Sequence, residues 1–216
     1  MLYKLIFLFQ EDLSWLNVFR YITFRTILST LSSLAVVFLI GTWVIGRLRI
    51  LQVGQQIRDD GPPNHKGKAG TPTMGGCLIL PVIAVSTVMW ADVGNVYVWL
   101  ILFVMVSFGL IGFRDDYLKV VRKNSRGLSA KSKFSLQVLV ALAVAVVLQL
   151  YPGFDTRLNF PFFKGFTPDL GWWYAPLAVF IIVGASNAVN LTDGLDGLAM
   201  GPIIIAFGSY LIFSYL

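Results

Sequence analysis

Six stretches of mostly apolar residues, each about 17 to 25 long, leave this chain few folds to choose from. They cover residues 24–46, 75–91, 96–113, 134–150, 172–189 and 198–216. A hydrocarbon core of about 30 Å takes an α-helix of roughly 20 residues, and inside it the chain must satisfy every backbone N–H and C=O by itself. Helices do this within one segment. The expected fold is therefore an all-α, polytopic membrane helical bundle, with residues 1–216 forming one integral membrane domain of about six transmembrane helices. Composition agrees, since 56% of the residues are hydrophobic and only 13% charged, a balance foreign to soluble domains of this length. Trp43, Trp90, Trp99, Trp172 and Trp173 fall near the ends of the runs, where an aromatic belt meets the headgroups. Pro81, Pro176 and Pro202 lie inside runs or just past their starts, which membrane helices tolerate when neighbours re-satisfy the freed backbone.

Other classes drop out on composition. The stretch Leu2 to Phe9 is short and meets Glu11 and Asp12 without a small-residue cleavage site, so it reads as an interfacial segment rather than a signal peptide. Cys77 is the single cysteine and lies in an apolar run, which rules out a disulfide framework. His65 is the single histidine, too few ligands for ordinary zinc chemistry. The net charge of +6 flanks the apolar runs instead of forming a basic face, so nucleic acid is not an expected partner.

Lys and Arg also orient the chain. Loops 47–74 and 114–133 carry 12 of the 17 Lys and Arg residues, residues 151–171 carry only Arg157 and Lys164, and the turn around Asp92 carries none. The positive-inside rule then places 47–74 and 114–133 in the cytoplasm. Alternation makes the N-terminus external and adds 190–197 to the cytoplasmic face.

Three polar constellations fall on that face. In the first, Asp59 to Gly76, turn-forming and basic residues lead into an apolar run. Backbone N–H groups at such a helix start suit an anion such as a phosphate, and Lys68 could add a point charge to a pyrophosphate or contact a nucleobase. The second is Asp115-Asp116 at the end of the third run. Neighbouring helical positions diverge by about 100°, so both carboxylates can edge one polar cavity without pointing alike. One of them can bind or orient a divalent ion while the other handles a proton or a phosphate oxygen. The third runs from Asn187 through Asn190 and Asp193 to Asp196 and Gly197, with a polar residue at every third position. A helix row of that spacing drifts by about 60° per step, so the helix is expected to unwind near Asn190 and let these groups converge. Carboxylates, amides and a basic Gly-rich loop on one membrane face point to metal-assisted chemistry on a phosphorylated substrate beside lipid, where a protein mainly positions groups and neutralises charge.

The stretches Gly70-Thr-Pro-Thr-Met-Gly-Gly76, Gly112-Phe-Arg-Asp-Asp-Tyr117 and Asn187-Ala-Val-Asn-Leu-Thr-Asp-Gly-Leu-Asp-Gly-Leu198 resemble the signatures of the bacterial phospho-N-acetylmuramoyl-pentapeptide transferases. These belong to the polyprenyl-phosphate N-acetylhexosamine-1-phosphate transferase superfamily. The three motifs occur in the family's order, and the likeness extends over essentially the whole chain. It implies transfer of phospho-MurNAc-pentapeptide from UDP-MurNAc-pentapeptide to undecaprenyl phosphate, giving lipid I and UMP, in peptidoglycan synthesis. It further implies a Mg²⁺ cofactor, a bacterial cytoplasmic (inner) membrane location and a homodimer as an open option. Asp115 and Asp116 match the paired catalytic aspartates, with Asp116 a candidate metal ligand. Lys68, Thr73, Asn187, Asn190, Asp193 and Asp196 become the substrate-binding candidates.

The sequence departs from the family in two respects. Family members have about ten spans, with a third catalytic aspartate tied most directly to magnesium and a His-rich cytoplasmic loop, none of which appears before Leu216. The chain is therefore expected to be the N-terminal part of such an enzyme. Arg114 is also unexpected, a cation beside the aspartates where an apolar residue would fit; it either lowers their pKa values by proximity or snorkels to the interface. A sister transferase moving GlcNAc-1-phosphate to a polyprenyl phosphate shares the paired aspartates. A transporter with intramembrane carboxylates is the alternative outside enzymes, though its site would lie near the bilayer midplane. The purified chain alone is expected to release no UMP from UDP-MurNAc-pentapeptide, undecaprenyl phosphate and magnesium. UMP release by it would overturn that expectation.

Overall fold

A computed structural model describes residues 2, 5–6, 13–50, 74–122, 127–160, 163, 165–193 and 197–215. Among them six longer α-helices follow one another: α1 (Ile22–Ile50), α2 (Gly76–Trp90), α3 (Val96–Arg122), α4 (Ala130–Leu150), α5 (Tyr174–Thr192) and α6 (Met200–Tyr215). Short 3₁₀ turns precede α1 at Ser14–Arg20 and α5 at Gly171–Trp173. Among the described residues the only pairing of β type is an isolated antiparallel bridge between Arg157 and Asp169. The all-α architecture is as expected.

Each of the six apolar runs holds a helix. Four are long and apolar enough to cross a membrane by length and composition: α1, α3, α4, and α5 together with its 3₁₀ lead-in. The other two, α2 with 15 residues and α6 with 16, are shorter than the roughly 17 residues a span needs. Helix α3 departs from the apolar pattern in the other direction. Its apolar run stops at Phe113, yet the helix continues through Arg114, Asp115 and Asp116 to Arg122. Nothing in Asp-Asp-Tyr-Leu-Lys breaks a helix, and carboxylates three and four residues before a lysine support one. At 1.5 Å per residue α3 is about 40 Å long, longer than the hydrocarbon core.

The chain forms two compact units, Met1–Leu136 and Gln137–Leu216. In the first, α1 packs on α2 and α2 on α3. Serines join the first pair. Ser86 is buried on α2; its hydroxyl donates to the Ser29 carbonyl at 2.8 Å and lies 3.2 and 3.0 Å from the Ser29 and Ser32 hydroxyls. One turn on, the Trp90 indole N–H donates to the Ser32 hydroxyl at 3.2 Å, and Phe19 stacks on Trp90 with ring centroids 6.1 Å apart. Small residues let the helices approach: Gly41 faces Leu78 on the α1–α2 side, and Gly109 faces Leu80 on the α2–α3 side.

In the second unit α4 buries Gln137, Ala141, Val144 and Ala145, and α5 buries Ala175 and Val183. Alanines four apart on α4 are the small-residue pattern of close helix packing in lipid. Residues 156–158 pair antiparallel with residues 168–170 ahead of α5. The Leu158 N–H donates to the Pro168 carbonyl at 3.0 Å, and the Leu170 N–H to the Thr156 carbonyl at 3.3 Å. Asp169 accepts from the Thr156 hydroxyl and the Gly171 N–H, which holds its carboxyl below the usual range. This contribution is complete above the ordinary aspartate pKa and is lost as pH falls through the lowered one.

Ser86 is the test of the α1–α2 contact. Ser86→Ala should cost about 0.6 kcal/mol, and at most about 1.7, the range for hydrogen bonds between membrane helices. Unfolding in mixed detergent micelles measures it, and Thr30→Ala, exposed on α1 with its hydroxyl bonded to the preceding turn, should cost less.

Candidate functional site

The Asp115-Asp116 pair lies in the polar C-terminal extension of α3, and its surroundings differentiate the two carboxylates. Asp115 is buried, with 9% of its surface exposed. Its Oδ1 accepts the Leu128 backbone N–H at 2.7 Å, and its Oδ2 lies 2.8 Å from the Lys119 Nζ. The same ammonium reaches Asp116 Oδ1 at 3.0 Å. Lys119 therefore bridges the pair, at the three- and four-residue spacing that brings helical side chains together. Lys133, on the first turn of α4, adds a further attraction to Asp115. Arg114 is exposed and takes no part in the ion pairs of the two aspartates.

Asp116 points elsewhere. It sits at the end of a groove between α2 and α3 with a volume of about 510 Å³. Cys77, Leu80, Pro81 and Ala84 line one wall, and Val106, Gly109, Leu110, Gly112 and Phe113 the other. The lining is apolar except at Asp116. An elongated apolar surface closed by one carboxylate suits an amphiphile with a hydrocarbon tail and a polar head. Met74 also borders the groove. It has φ of 69°, a left-handed conformation uncommon outside glycine, and leads through Gly75 into α2.

In the second unit, Asn187 and Asn190 both lie within α5, which stays helical to Thr192. The unwinding expected near Asn190 begins at Asp193 instead, whose N–H still caps the helix on the Val189 carbonyl at 3.0 Å. The reason is local: no glycine or proline occurs between Asn187 and Thr192, so nothing in the segment breaks the backbone ladder. The chain turns at Gly197, with φ of 80°, a conformation that favours glycine. The Asn187 side-chain N–H₂ donates to the Gln137 side chain at 2.9 Å and to the Val183 carbonyl at 2.8 Å, tying α5 to α4. Asn190 and Asp193 are exposed. Lys68, Thr73 and Asp196 lie outside the described residues.

Lys119, Gly127, Leu128 and Gln137 were not among the residues the sequence singled out. Lys119 was available from its spacing to the aspartates; the others act through contacts 12 or more positions away along the chain. Among the described residues no group of three His, Cys, Asp or Glu side chains converges. If Lys119 is what permits two neighbouring carboxylates on this helix, Lys119→Met should destabilise the chain by about 1–2 kcal/mol, the value of a charged hydrogen bond reduced for partial exposure. Asp116→Asn in the same background should recover part of that loss, as read from denaturant unfolding.

The chain is similar to known proteins. The family model described as glycosyl transferase family 4 matches residues 98–216, and phospho-N-acetylmuramoyl-pentapeptide-transferase signature 1 matches residues 68–80. Curated relatives bearing the name phospho-N-acetylmuramoyl-pentapeptide-transferase include those of Syntrophus aciditrophicus, 55% identical over 215 residues, Pelobacter propionicus, 54% identical over 215, and Geobacter sp. strain M21, 51% identical over 216. Each alignment covers 100% of this chain and 60% of the relative, so the chain spans about three fifths of the length of these proteins. With a family model covering more than half of it and helices long and apolar enough to cross a membrane, the chain is a multi-pass membrane protein that belongs to glycosyl transferase family 4.

Proposed function

We propose that this chain serves transfer of phospho-MurNAc-pentapeptide from UDP-MurNAc-pentapeptide to undecaprenyl phosphate, forming lipid I and UMP at the cytoplasmic face of the bacterial inner membrane. The observation that carries the proposal is the apolar groove between α2 and α3 that ends at Asp116. A polyprenyl phosphate has the matching chemistry, a hydrocarbon chain for the groove and an anionic head to be met at its polar end. The names of the relatives give the group transferred, phospho-N-acetylmuramoyl-pentapeptide, and the signature over residues 68–80 supports Lys68 and Thr73 as contacts of the donor that carries it. Asn190, Asp193 and Asp196 complete the donor set in this reading. Asn187 orders that end of α5 through its bond to Gln137.

The paired carboxylates would steer the acceptor phosphate and its proton while Lys119 limits their mutual repulsion. Magnesium belongs to the same proposal. It is commonly held by one or two carboxylates with substrate phosphates and water completing the shell, and a half-exposed Asp116 at the groove's end meets that description better than Asp115, whose oxygens are engaged by Leu128 and Lys119. When bound, the ion neutralises phosphate oxygens.

A chimera tests the reading. Residues 1–216 replace the matching segment of the Syntrophus aciditrophicus relative, and UMP release is followed with UDP-MurNAc-pentapeptide, undecaprenyl phosphate and magnesium. Turnover is expected, with a loss of at least about 100-fold in Asp116→Asn, the range seen when one preorganised charge-stabilising group is removed. UDP-GlcNAc should not compete with the donor; efficient competition would favour the sister GlcNAc-1-phosphate transferase.

A further inference from the structure

Asp115 is held by a turn that only glycine permits. The backbone leading into α4 passes Asp115 so closely at Gly127 that a Cβ placed there would lie 2.8 Å from the Asp115 carbonyl oxygen and 2.9 Å from its carboxyl carbon, and closer still to Oδ1. Both distances are below any that real Cβ atoms adopt. The carbonyl oxygen belongs to the body of a helix, so this crowding cannot be relieved by swinging a side chain aside. Gly127 does not have a left-handed φ, which makes its requirement one of space rather than of backbone conformation. That close approach delivers the Leu128 N–H to Asp115 Oδ1 at 2.7 Å, while Lys119 takes Oδ2 at 2.8 Å. With one donor on each oxygen, the plane of the carboxylate is set from two sides.

We propose that Gly127 is a positioning residue for Asp115: its missing side chain lets the Leu128 amide clamp the carboxylate, so the α3–α4 turn sets the orientation of one member of the aspartate pair. This rests on the reading of Asp115 as part of a phosphoryl-transfer site. The clamp itself is a matter of geometry and is tested apart from activity.

Hydrogen exchange at the Leu128 amide is measured on the chain in detergent micelles, with and without Asp115→Leu. The amide should exchange at least tenfold more slowly in the unsubstituted chain; equal rates would overturn the clamp. In the chimera, Gly127→Ala should lower kcat at least tenfold with the donor KM within threefold, because Asp115 is misplaced while the donor contacts stay intact. A Gly127→Ala chimera with unchanged kcat would overturn the positioning role. If Gly127→Ala does not fold, an amide-to-ester replacement at residue 128 (leucic acid in place of Leu128) takes its place, since it removes the N–H without adding any atom beside Asp115. It should lower kcat by a similar factor, and unchanged kcat there would overturn the role equally. Should the unsubstituted chimera release no UMP, the functional reading fails, and the exchange experiment still decides the clamp.

Discussion

In hydrocarbon a polar group finds no water, and the cost of leaving it unpaired shapes every contact that gives this chain tertiary structure. The helices cannot be drawn together by the hydrophobic effect alone, since lipid tails are as apolar as leucine side chains. What joins them is small-residue packing and polar pairing. Ser86 meets Ser29 and Ser32 between α1 and α2, and Gln137 meets Asn187 between α4 and α5. In both pairs a buried polar residue on one helix finds its partner on the next. These contacts are sparse, and the large apolar residues of the outer faces, such as Leu39 and Phe180, stay exposed, as surfaces that meet lipid do.

The same constraint acts most strongly on the charges. Two adjacent carboxylates near the end of a long apolar helix repel each other and are costly to desolvate. Lys119 resolves this by bridging them one turn later. The cost of the arrangement falls unequally on the two. Asp115 becomes a buried, doubly bonded group locked to the α3–α4 turn, and Asp116 is left half-exposed at the end of an apolar groove. Two identical side chains thus acquire different chemistry from their positions alone. That division suits a site where one carboxylate needs a constant orientation and the other must meet ligands that come and go.

Much of the fold was legible because membrane helices announce themselves by the length of an apolar run: each of the six runs holds a helix, four of them long and apolar enough to cross a membrane. Their ends were less legible. Hydropathy stops at Phe113, but helical hydrogen bonding continues to Arg122, since polarity and helix propensity are separate properties. Likewise the polar row from Asn187 suggested unwinding, whereas the backbone stays helical to Thr192; amide side chains lower helix propensity only slightly and Asn187 finds its partners without leaving the helix. Within the site, the aspartates stood out as charges beside an apolar run. Lys119 followed the helical spacing rule and was readable in principle. Gly127 and Leu128 were not, because what they do depends on how tightly a turn folds back on a helix 12 or more residues earlier.

The sequence by itself determined that this chain is a set of membrane helices with its polar motifs clustered in three segments, because run length and charge placement are local quantities that the bilayer reads directly. It also carried the family, through residue patterns that need no coordinates. Which aspartate faces the groove and which is clamped was decided only by tertiary structure. Neighbouring positions on a helix differ by about 100°, and whether a given direction meets a groove, a turn or lipid depends on where α2 and the start of α4 pack, which no local pattern encodes.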